Sequence, residues 1–156
     1  MSNRARFREL LAEAGRVHID APVIAYHLLA HPAYVELTRL LFAGLRAGEF
    51  GAQTSALSLY QTLVEPYRRG DGKLALLAER YLGAIPGLEI LPVTGAVARQ
   101  AAEVTAQLGG RVERAVQIAS ALVGGAALFL TSRSGLRRVA GMQVISLESF
   151  AARSGA

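Results

Sequence analysis

Five short apolar segments alternate with longer segments of helical periodicity along this chain, and the alternation limits the folds it can adopt. The short segments span residues 17–19, 50–53, 88–93, 127–130 and 144–147. Strands that alternate with helices pair in parallel, and the helices then cover both faces of the sheet. The pattern therefore predicts an α/β fold in three layers, with a central, mainly parallel sheet of about five strands.

The helical segments have recognisable ends. Periodicity predicts helices over residues 1–15, 23–29, 33–47, 56–68, 74–82, 95–108 and 112–123. Thr54 or Ser55 is expected to cap the fourth of these helices, and Thr94 the sixth. We expect an N-terminal helical extension (1–15), one domain (16–150) and a tail (151–156), with Arg137 and Arg138 in a short helical turn.

Composition excludes several classes of protein. The 156-residue chain has no cysteine, which excludes a disulfide scaffold and thiolate metal sites and fits a cytoplasmic location. The first fifteen residues lack the apolar stretch of a signal peptide. The longest uncharged stretch lies between Arg114 and Arg133, but Gly124 and Gly125 divide it, so no membrane span is expected.

Polar residues follow two of the predicted strands directly. Asp20 comes after segment 17–19, and Thr131, Ser132 and Arg133 come after segment 127–130. In open α/β sheets, ligands bind in the crevice beyond the carboxyl ends of the strands. The functional crevice is therefore expected beside these residues.

The chain resembles a PIN domain over residues 16–148, which is nearly its whole length. The segments that correspond are IDAPVIAY, TSALSLYQTLVEPYRRGD, LEILPV and GRVERAVQIASALVGGAALFLTSRSGLRRVAGMQVISL. The resemblance implies a PIN-like α/β/α fold of a kind that typically cuts RNA with Mg²⁺ or Mn²⁺. Many members of the family are toxins of toxin–antitoxin pairs.

The acidic cluster on which this family's chemistry depends is largely absent from the chain. Asp20 matches the first acidic position, but Gln61, Arg114 and Arg133 occupy the other three. A divalent ion of this kind is held mainly by carboxylates and water. A guanidinium about 6 Å from Mg²⁺ repels it by roughly 5 kcal/mol at an effective dielectric constant near 20. We therefore expect no bound metal or other cofactor, and a non-catalytic RNA- or protein-binding module.

An active site with shifted acids is the alternative. Glu65 lies one helical turn after Gln61, and Glu113 precedes Arg114, so both could join Asp20. The chain would then be a ribonuclease toxin that depends on Mg²⁺ or Mn²⁺. Against this, Glu65 precedes Pro66 near a helix end, and an acid at the position of Glu113 is favoured by the helix dipole alone.

A group of basic and small polar residues is expected around the crevice mouth. Its members are candidates for binding RNA phosphates or another anion: Arg111, Arg114, Ser132, Arg133, Arg137 and Arg138. The net charge of +5 agrees with an anionic partner. Because a buried carboxylate without a partner is costly, we also expect Arg114 or Arg133 to pair with Asp20.

Other sites and partners are less constrained by the sequence. His27 and His31 have the spacing of a helical zinc pair, but Pro32 is expected to end the helix there, so zinc binding is not predicted. The resemblance implies an antitoxin-like or other protein partner and a homodimer. A purely structural or oligomerisation module remains a third hypothesis.

Overall fold

A computed structural model describes residues 1–151, which form a six-stranded sheet with the strand order β3-β2-β1-β4-β6-β5. The strands are β1 (Arg16–Ile19), β2 (Gly51–Ser55), β3 (Leu88–Leu91), β4 (Leu128–Thr131), β5 (Arg138–Val139) and β6 (Met142–Ser146). Every neighbouring pair is parallel except β5 and β6. The predicted α/β fold with a mainly parallel sheet is confirmed.

Eight helices accompany the strands within these residues. They are α1 (Asn3–Ala14), α2 (Ala21–Leu28), α3 (Val35–Arg46), α4 (Ala56–Arg68), α5 (Gly72–Ala84), α6 (Gly95–Leu108), α7 (Val112–Val123) and α8 (Leu147–Phe150). The side chain of Ser55 accepts a hydrogen bond from the backbone N–H of Leu57, and that of Thr94 accepts one from Val97. These bonds satisfy N–H groups that a helix leaves free in its first turn.

Two apolar cores lie on opposite faces of the sheet. Successive residues of a strand point to opposite faces, and in β4 Leu128 and Leu130 belong to one core whereas Phe129 belongs to the other. The first core is formed with α1, α2 and α3, and the second with α6 and α7. This arrangement gives the three layers that the sequence predicts.

The N-terminal helix is part of the first core. Phe7 and Leu11 of α1 are buried, and the ring centroid of Phe7 lies 5.4 Å from that of Phe150. Residues 1–15, which were expected to form an extension, therefore help to close the same core as the sheet. Of the expected tail, only Ala151 lies within the described residues.

The prediction of a helical turn at Arg137 and Arg138 is wrong. Arg138 belongs to β5 and pairs in antiparallel register with Gln143 of β6. Ala140 and Gly141 connect the two strands with φ angles of 47° and 85°. Two consecutive positive φ angles are what a two-residue hairpin requires, and after the turn β6 runs antiparallel to β5, which forms the edge of the sheet.

The long uncharged stretch between Arg114 and Arg133 does not form one element. It is divided into α7 and β4, with Gly124 and Gly125 between them. In the part of the chain that the structure describes, no helix has both the length and the apolar character needed to cross a membrane.

Candidate functional site

The crevice lies where the order of the strands changes direction. β1 has β2 on one side and β4 on the other, and both neighbours run parallel to it. The chain leaves β1 into α2 and leaves β4 into the loop of residues 132–137, and at such a switch point a crevice opens beyond the carboxyl ends of the two strands. Asp20 follows β1 and Thr131 ends β4, so both residues lie at this point.

Both carboxylate oxygens of Asp20 are engaged within the protein. Oδ1 accepts a hydrogen bond from the backbone N–H of Ala21 at 2.9 Å, and Oδ2 accepts one from the hydroxyl of Thr131 at 2.7 Å. Asp20 is also the N-cap of α2. Burial raises the pKa of its carboxyl group, whereas these two hydrogen bonds and the charge of Arg114 act in the opposite direction.

The expected ion pair between Asp20 and Arg114 or Arg133 is not formed. Within residues 1–151, no arginine forms an ion pair with Asp20. Arg133 instead pairs with Glu148, with Nε 3.3 Å from Oε2. Glu148 lies on α8, a short helix that was not predicted from the sequence. Asp20 has a neutral partner instead, the hydroxyl of Thr131.

Asp20 and Arg114 lie between two cavities. We call the first the Arg133 pocket, a cavity of about 550 Å³ lined by Asp20, Arg114, Phe129, Thr131, Arg133 and Glu148 among others. We call the second the Gln61 pocket, a cavity of about 430 Å³ lined by Asp20, Tyr60, Gln61, Arg111, Glu113 and Arg114 among others. The four positions that correspond to the acidic cluster are thus divided between two pockets that share Asp20 and Arg114.

A chain of buried polar side chains runs beneath the Gln61 pocket. His18 of β1 is fully buried, with its ring stacked at 5.3 Å on Phe129. Its Nε2 lies 2.8 Å from Oε1 of Gln117, and its Nδ1 lies 3.1 Å from Nε2 of Gln53. Burial lowers the pKa of His18 to about 4, so its ring is neutral at pH 7.

The buried chain reaches the protein surface at both ends. At one end, Arg16 donates from Nε to Oε1 of Gln53 at 2.7 Å. At the other, Nε2 of Gln117 donates to the hydroxyl of Ser58 at 2.9 Å and to Oε1 of Gln61 at 3.2 Å. The sequence alone did not predict these buried hydrogen bonds. Their signal was the presence of histidine and glutamine within apolar strands and helices.

The residues present do not fit a divalent cation at this position. Among the described residues, no three histidine, cysteine, aspartate or glutamate side chains come together as a possible metal site. Both oxygens of Asp20 and the amide oxygen of Gln61 already accept hydrogen bonds, and Arg114 adds a positive charge. Mg²⁺ requires several oxygen ligands in a strict geometry.

The acids of the alternative site are placed apart. Glu113 lines the Gln61 pocket with Asp20, whereas Glu65 lies 3.7 Å from Nη1 of Arg68 on the surface of α4.

His27 and His31, which have the spacing of a helical zinc pair, have different hydrogen-bond partners. The ring of His27 contacts the hydroxyls of Thr38 and Tyr81, and Nδ1 of His31 accepts from the backbone of Ala33.

The predicted anion-binding residues are only partly brought together. Arg111 and Arg114 line the Gln61 pocket, and Arg114 and Arg133 line the Arg133 pocket. Ser132, Arg137 and Arg138 are not among the lining residues of either pocket, and Nη1 of Arg138 donates to the carbonyl of Gly141. The crevice therefore holds three of the six predicted residues.

Comparison with known proteins gives the fold. No protein-family model matches the sequence, and no curated protein matches it significantly. A toxin–antitoxin complex from Klebsiella pneumoniae has a similar structure, with 14% identity, 84% of this chain and 97% of that chain covered, and a TM-score of 0.60.

Two further solved structures agree. VapBC2 from Rickettsia felis, bound to a DNA fragment from its promoter, has 12% identity and a TM-score of 0.62 over 84% of this chain and 98% of that chain. VapC20 from Mycobacterium tuberculosis, a toxin that cleaves the sarcin–ricin loop, has 18% identity and a TM-score of 0.58 over 72% and 86%. The chain has the PIN-like fold of such toxins, as the resemblance in sequence implies.

Proposed function

We propose that this protein is a non-catalytic binding module with the fold of PIN-type toxins, which contacts RNA at its crevice and a protein partner at its surface. One observation carries the proposal: Asp20, the single acid among the four positions that correspond to the acidic cluster, uses both of its oxygens to cap α2 and to hold β4. A carboxylate in this role stabilises the fold, and each of its oxygens already has a hydrogen-bond partner within the protein.

The other positions of the crevice support the same conclusion. Gln61 uses its amide oxygen inside the protein, and Arg114 and Arg133 bring positive charge to the two pockets. Positive side chains beside a groove favour the phosphates of a nucleic acid. Tyr60 lies on the edge of the Gln61 pocket and is 63% exposed, so it offers an aromatic surface on which a base can stack.

Exposed apolar side chains on α4 and α5 support a protein partner. Each is at least 42% exposed, and they are Tyr67, Leu74, Leu76, Leu77 and Tyr81. Apolar side chains gathered on a surface commonly mark an interaction site. An antitoxin-like chain or a second copy of this protein would cover them, and the similar structure from Klebsiella pneumoniae is a toxin–antitoxin complex.

A cleavage assay tests the proposal. Single-stranded and structured RNA are incubated with the protein and Mg²⁺ or Mn²⁺, with Asp20→Ala as the comparison. We expect no cleavage above that of the variant. Cleavage by the wild type that Asp20→Ala abolishes would overturn the non-catalytic function.

An RNA-binding assay tests the proposed contact between RNA and the crevice. We expect the affinity to fall with salt concentration and to be weaker in Arg114→Ala, because the variant loses a contact to a phosphate. The slope of log affinity against log salt concentration should then fall by about 1. Arg99→Ala on α6 is a matched control, because Arg99 is exposed and lines neither pocket. Equal affinity of the wild type and Arg114→Ala would remove the crevice from RNA binding.

A second candidate is a ribonuclease toxin that depends on Mg²⁺ or Mn²⁺ and uses Asp20, Glu65 and Glu113. The similarity of the fold to that of VapC20 favours it. Glu113 shares the Gln61 pocket with Asp20. The candidate predicts that Glu65→Gln and Glu113→Gln each abolish cleavage, whereas the non-catalytic function predicts no cleavage to abolish.

A further inference from the structure

The orientation of the buried polar chain is fixed at its outer end. A guanidinium group has only donors, so Oε1 of Gln53 must accept from Nε of Arg16. The amide nitrogen of Gln53 then faces inward, where it lies 3.2 Å from the carbonyl of Ser120 and 3.4 Å from that of Ala121. Carbonyl oxygens only accept, so both ends of the Gln53 amide agree on the same orientation.

This orientation sets the proton position on His18. Because Nε2 of Gln53 donates, Nδ1 of His18 accepts, and the single proton of the neutral ring is on Nε2. That nitrogen donates to Oε1 of Gln117 at 2.8 Å. The amide nitrogen of Gln117 therefore points away from His18 and toward α4.

The buried polar chain ends at Gln61 and fixes the orientation of its side-chain amide. Nε2 of Gln117 donates one hydrogen to the hydroxyl of Ser58 and the other to Oε1 of Gln61. The amide oxygen of Gln61 is thus held inside the protein. Its NH₂ group donates to no side chain or backbone group within residues 1–151, and Gln61 lines the pocket named after it.

We propose that the Gln61 pocket binds an oxyanion, in the first place a phosphate group, with the Gln61 NH₂ group as an oriented donor and Arg111 and Arg114 as its positive partners. The inference rests on the proposed non-catalytic function, because it replaces a cation with an anion at the same crevice. Two guanidinium groups and an amide donor around a cavity of about 430 Å³ favour phosphate over a carboxylate, because a phosphate group carries more negative charge and more acceptor oxygens.

The two acids of the pocket do not prevent this. Asp20 directs its oxygens at Ala21 and Thr131, and burial raises the pKa of its carboxyl group. Glu113 is exposed in the first turn of α7, where water screens its charge. The two guanidinium groups and the Gln61 amide remain as the groups available to a ligand.

A titration of the wild-type protein with inorganic phosphate tests the inference directly. The side-chain NH₂ resonances of its glutamines are followed by NMR, with acetate as the second probe and sodium chloride at matched ionic strength. We expect phosphate to shift the Gln61 resonance in a saturable way and acetate to bind more weakly. A Gln61 resonance that moves no more than that of the exposed Gln107 would overturn the inference, and so would tighter binding of acetate.

A charge variant and a matched control follow. Gln61→Glu keeps an oxygen for the Gln117 bond but turns a carboxylate oxygen toward the pocket. Phosphate affinity should fall about tenfold or more, because a hydrogen bond to a charged group becomes a repulsion. Gln107→Glu makes the same change of charge on the exposed surface of α6 and should leave the affinity unchanged. Equal affinities of the two variants would contradict the proposed site.

A competition experiment identifies the source of the phosphate. Inorganic phosphate that displaces a short RNA from the wild type supports a backbone phosphate in the pocket, and binding of phosphate without competition supports a free phosphate ligand. Absence of phosphate binding in a protein that does not cleave RNA overturns this inference alone. Cleavage that depends on Asp20 overturns the proposed function itself.

Discussion

The Gln61 pocket and the Arg133 pocket share Asp20 and Arg114, but their polar groups are held in different ways. Gln61 is oriented from inside the protein, through Gln117, the buried ring of His18 and Gln53. Arg133 is oriented from outside, by an ion pair with Glu148 in which both side chains are more than half exposed. The first arrangement is part of the packed interior, and the second lies on the surface.

The difference shows which side of the crevice is preorganised. A donor fixed by a buried chain loses little conformational entropy when a ligand binds, whereas an exposed arginine must be ordered at that moment. Substitutions behind the Gln61 pocket should therefore change stability and ligand binding together. Substitution of Arg133 itself should leave stability nearly unchanged.

Gly124→Ala is the strongest way to disturb the buried chain. A Cβ atom at this position would lie 2.5 Å from both amide atoms of Gln53 and 2.5 Å from Cδ1 of Leu91. Gln53 is fully buried and hydrogen-bonded, so it cannot move aside. We expect the free energy of unfolding to fall by about 3 kcal/mol, measured by chemical denaturation.

Gly83→Ala is the matched control for this substitution. Gly83 lies on the exposed side of α5, and a Cβ atom there meets nothing within 4 Å. Because alanine favours a helix, the control should be as stable as the wild type or more stable by up to about 1 kcal/mol. A Gly124→Ala protein as stable as the Gly83→Ala protein would mean that the buried polar side chains around Gln53 are loosely packed.

Acid should weaken the Gln61 side of the molecule through His18. The pKa of His18 is lowered to about 4 in the folded protein from 6.5, so protonation favours the unfolded chain. The stability that the neutral ring provides is complete above pH 6.5 and is lost as the pH falls toward 4. The total loss is about 3 kcal/mol, at 1.36 kcal/mol for each pKa unit.

Denaturation curves between pH 7 and pH 4.5 measure this loss. His31→Gln removes a histidine that lies outside the buried chain and should keep the pH dependence of the wild type. His18→Gln should remove most of it, and the remainder is expected from His27, whose pKa burial also lowers. If His18→Gln retained the full pH dependence, another group would be responsible for it.

Local signals in the sequence were sufficient for most of the fold. The helices α4, α6 and α7 have the predicted bounds because a capping serine or threonine, a glycine or a change in periodicity marks their ends. The β5–β6 hairpin was not predictable in this way. It turns at Ala140, a residue type that seldom adopts a positive φ angle.

The contacts of the site depended on tertiary structure. That Asp20 lies at the crevice follows from strand order, but its bond to Thr131 depends on the register of β1 against β4. Arg133 pairs with Glu148 because α8 brings that acid to the crevice, and a four-residue helix has too little periodicity to be recognised. The buried chain joins residues from β1, β2, α4 and α7, so no local pattern contains it.

Asp20 lines both pockets. Two substitutions, Asp20→Asn and Asp20→Ala, distinguish the effect of its helix cap on stability from the effect of its charge. Asp20→Asn keeps an oxygen to cap α2 and an amide that can pair with Thr131, so it should be at least as stable as the wild type at pH 7. Asp20→Ala loses the cap and should be less stable than Asp20→Asn by about 1 kcal/mol.

Thermal and chemical denaturation of the three proteins check this order. The direction follows from the sign of the pKa change: burial raises the pKa of Asp20, so its charged form is the less favourable one, and stability falls as the pH rises above 3.8. An Asp20→Asn protein clearly less stable than the wild type would show that the charge itself holds the crevice together.

Arg133→Ala should have the smallest effect. The side chains of Arg133 and Glu148 are 74% and 53% exposed, and a pair of this kind contributes less than about 0.5 kcal/mol. Since high salt screens the same interaction, the difference between the variant and the wild type should disappear in about 1 M salt. A loss above about 1 kcal/mol in denaturation experiments would contradict the distinction between the two pockets, because it would mean that the Arg133 pocket is also held by the interior of the protein.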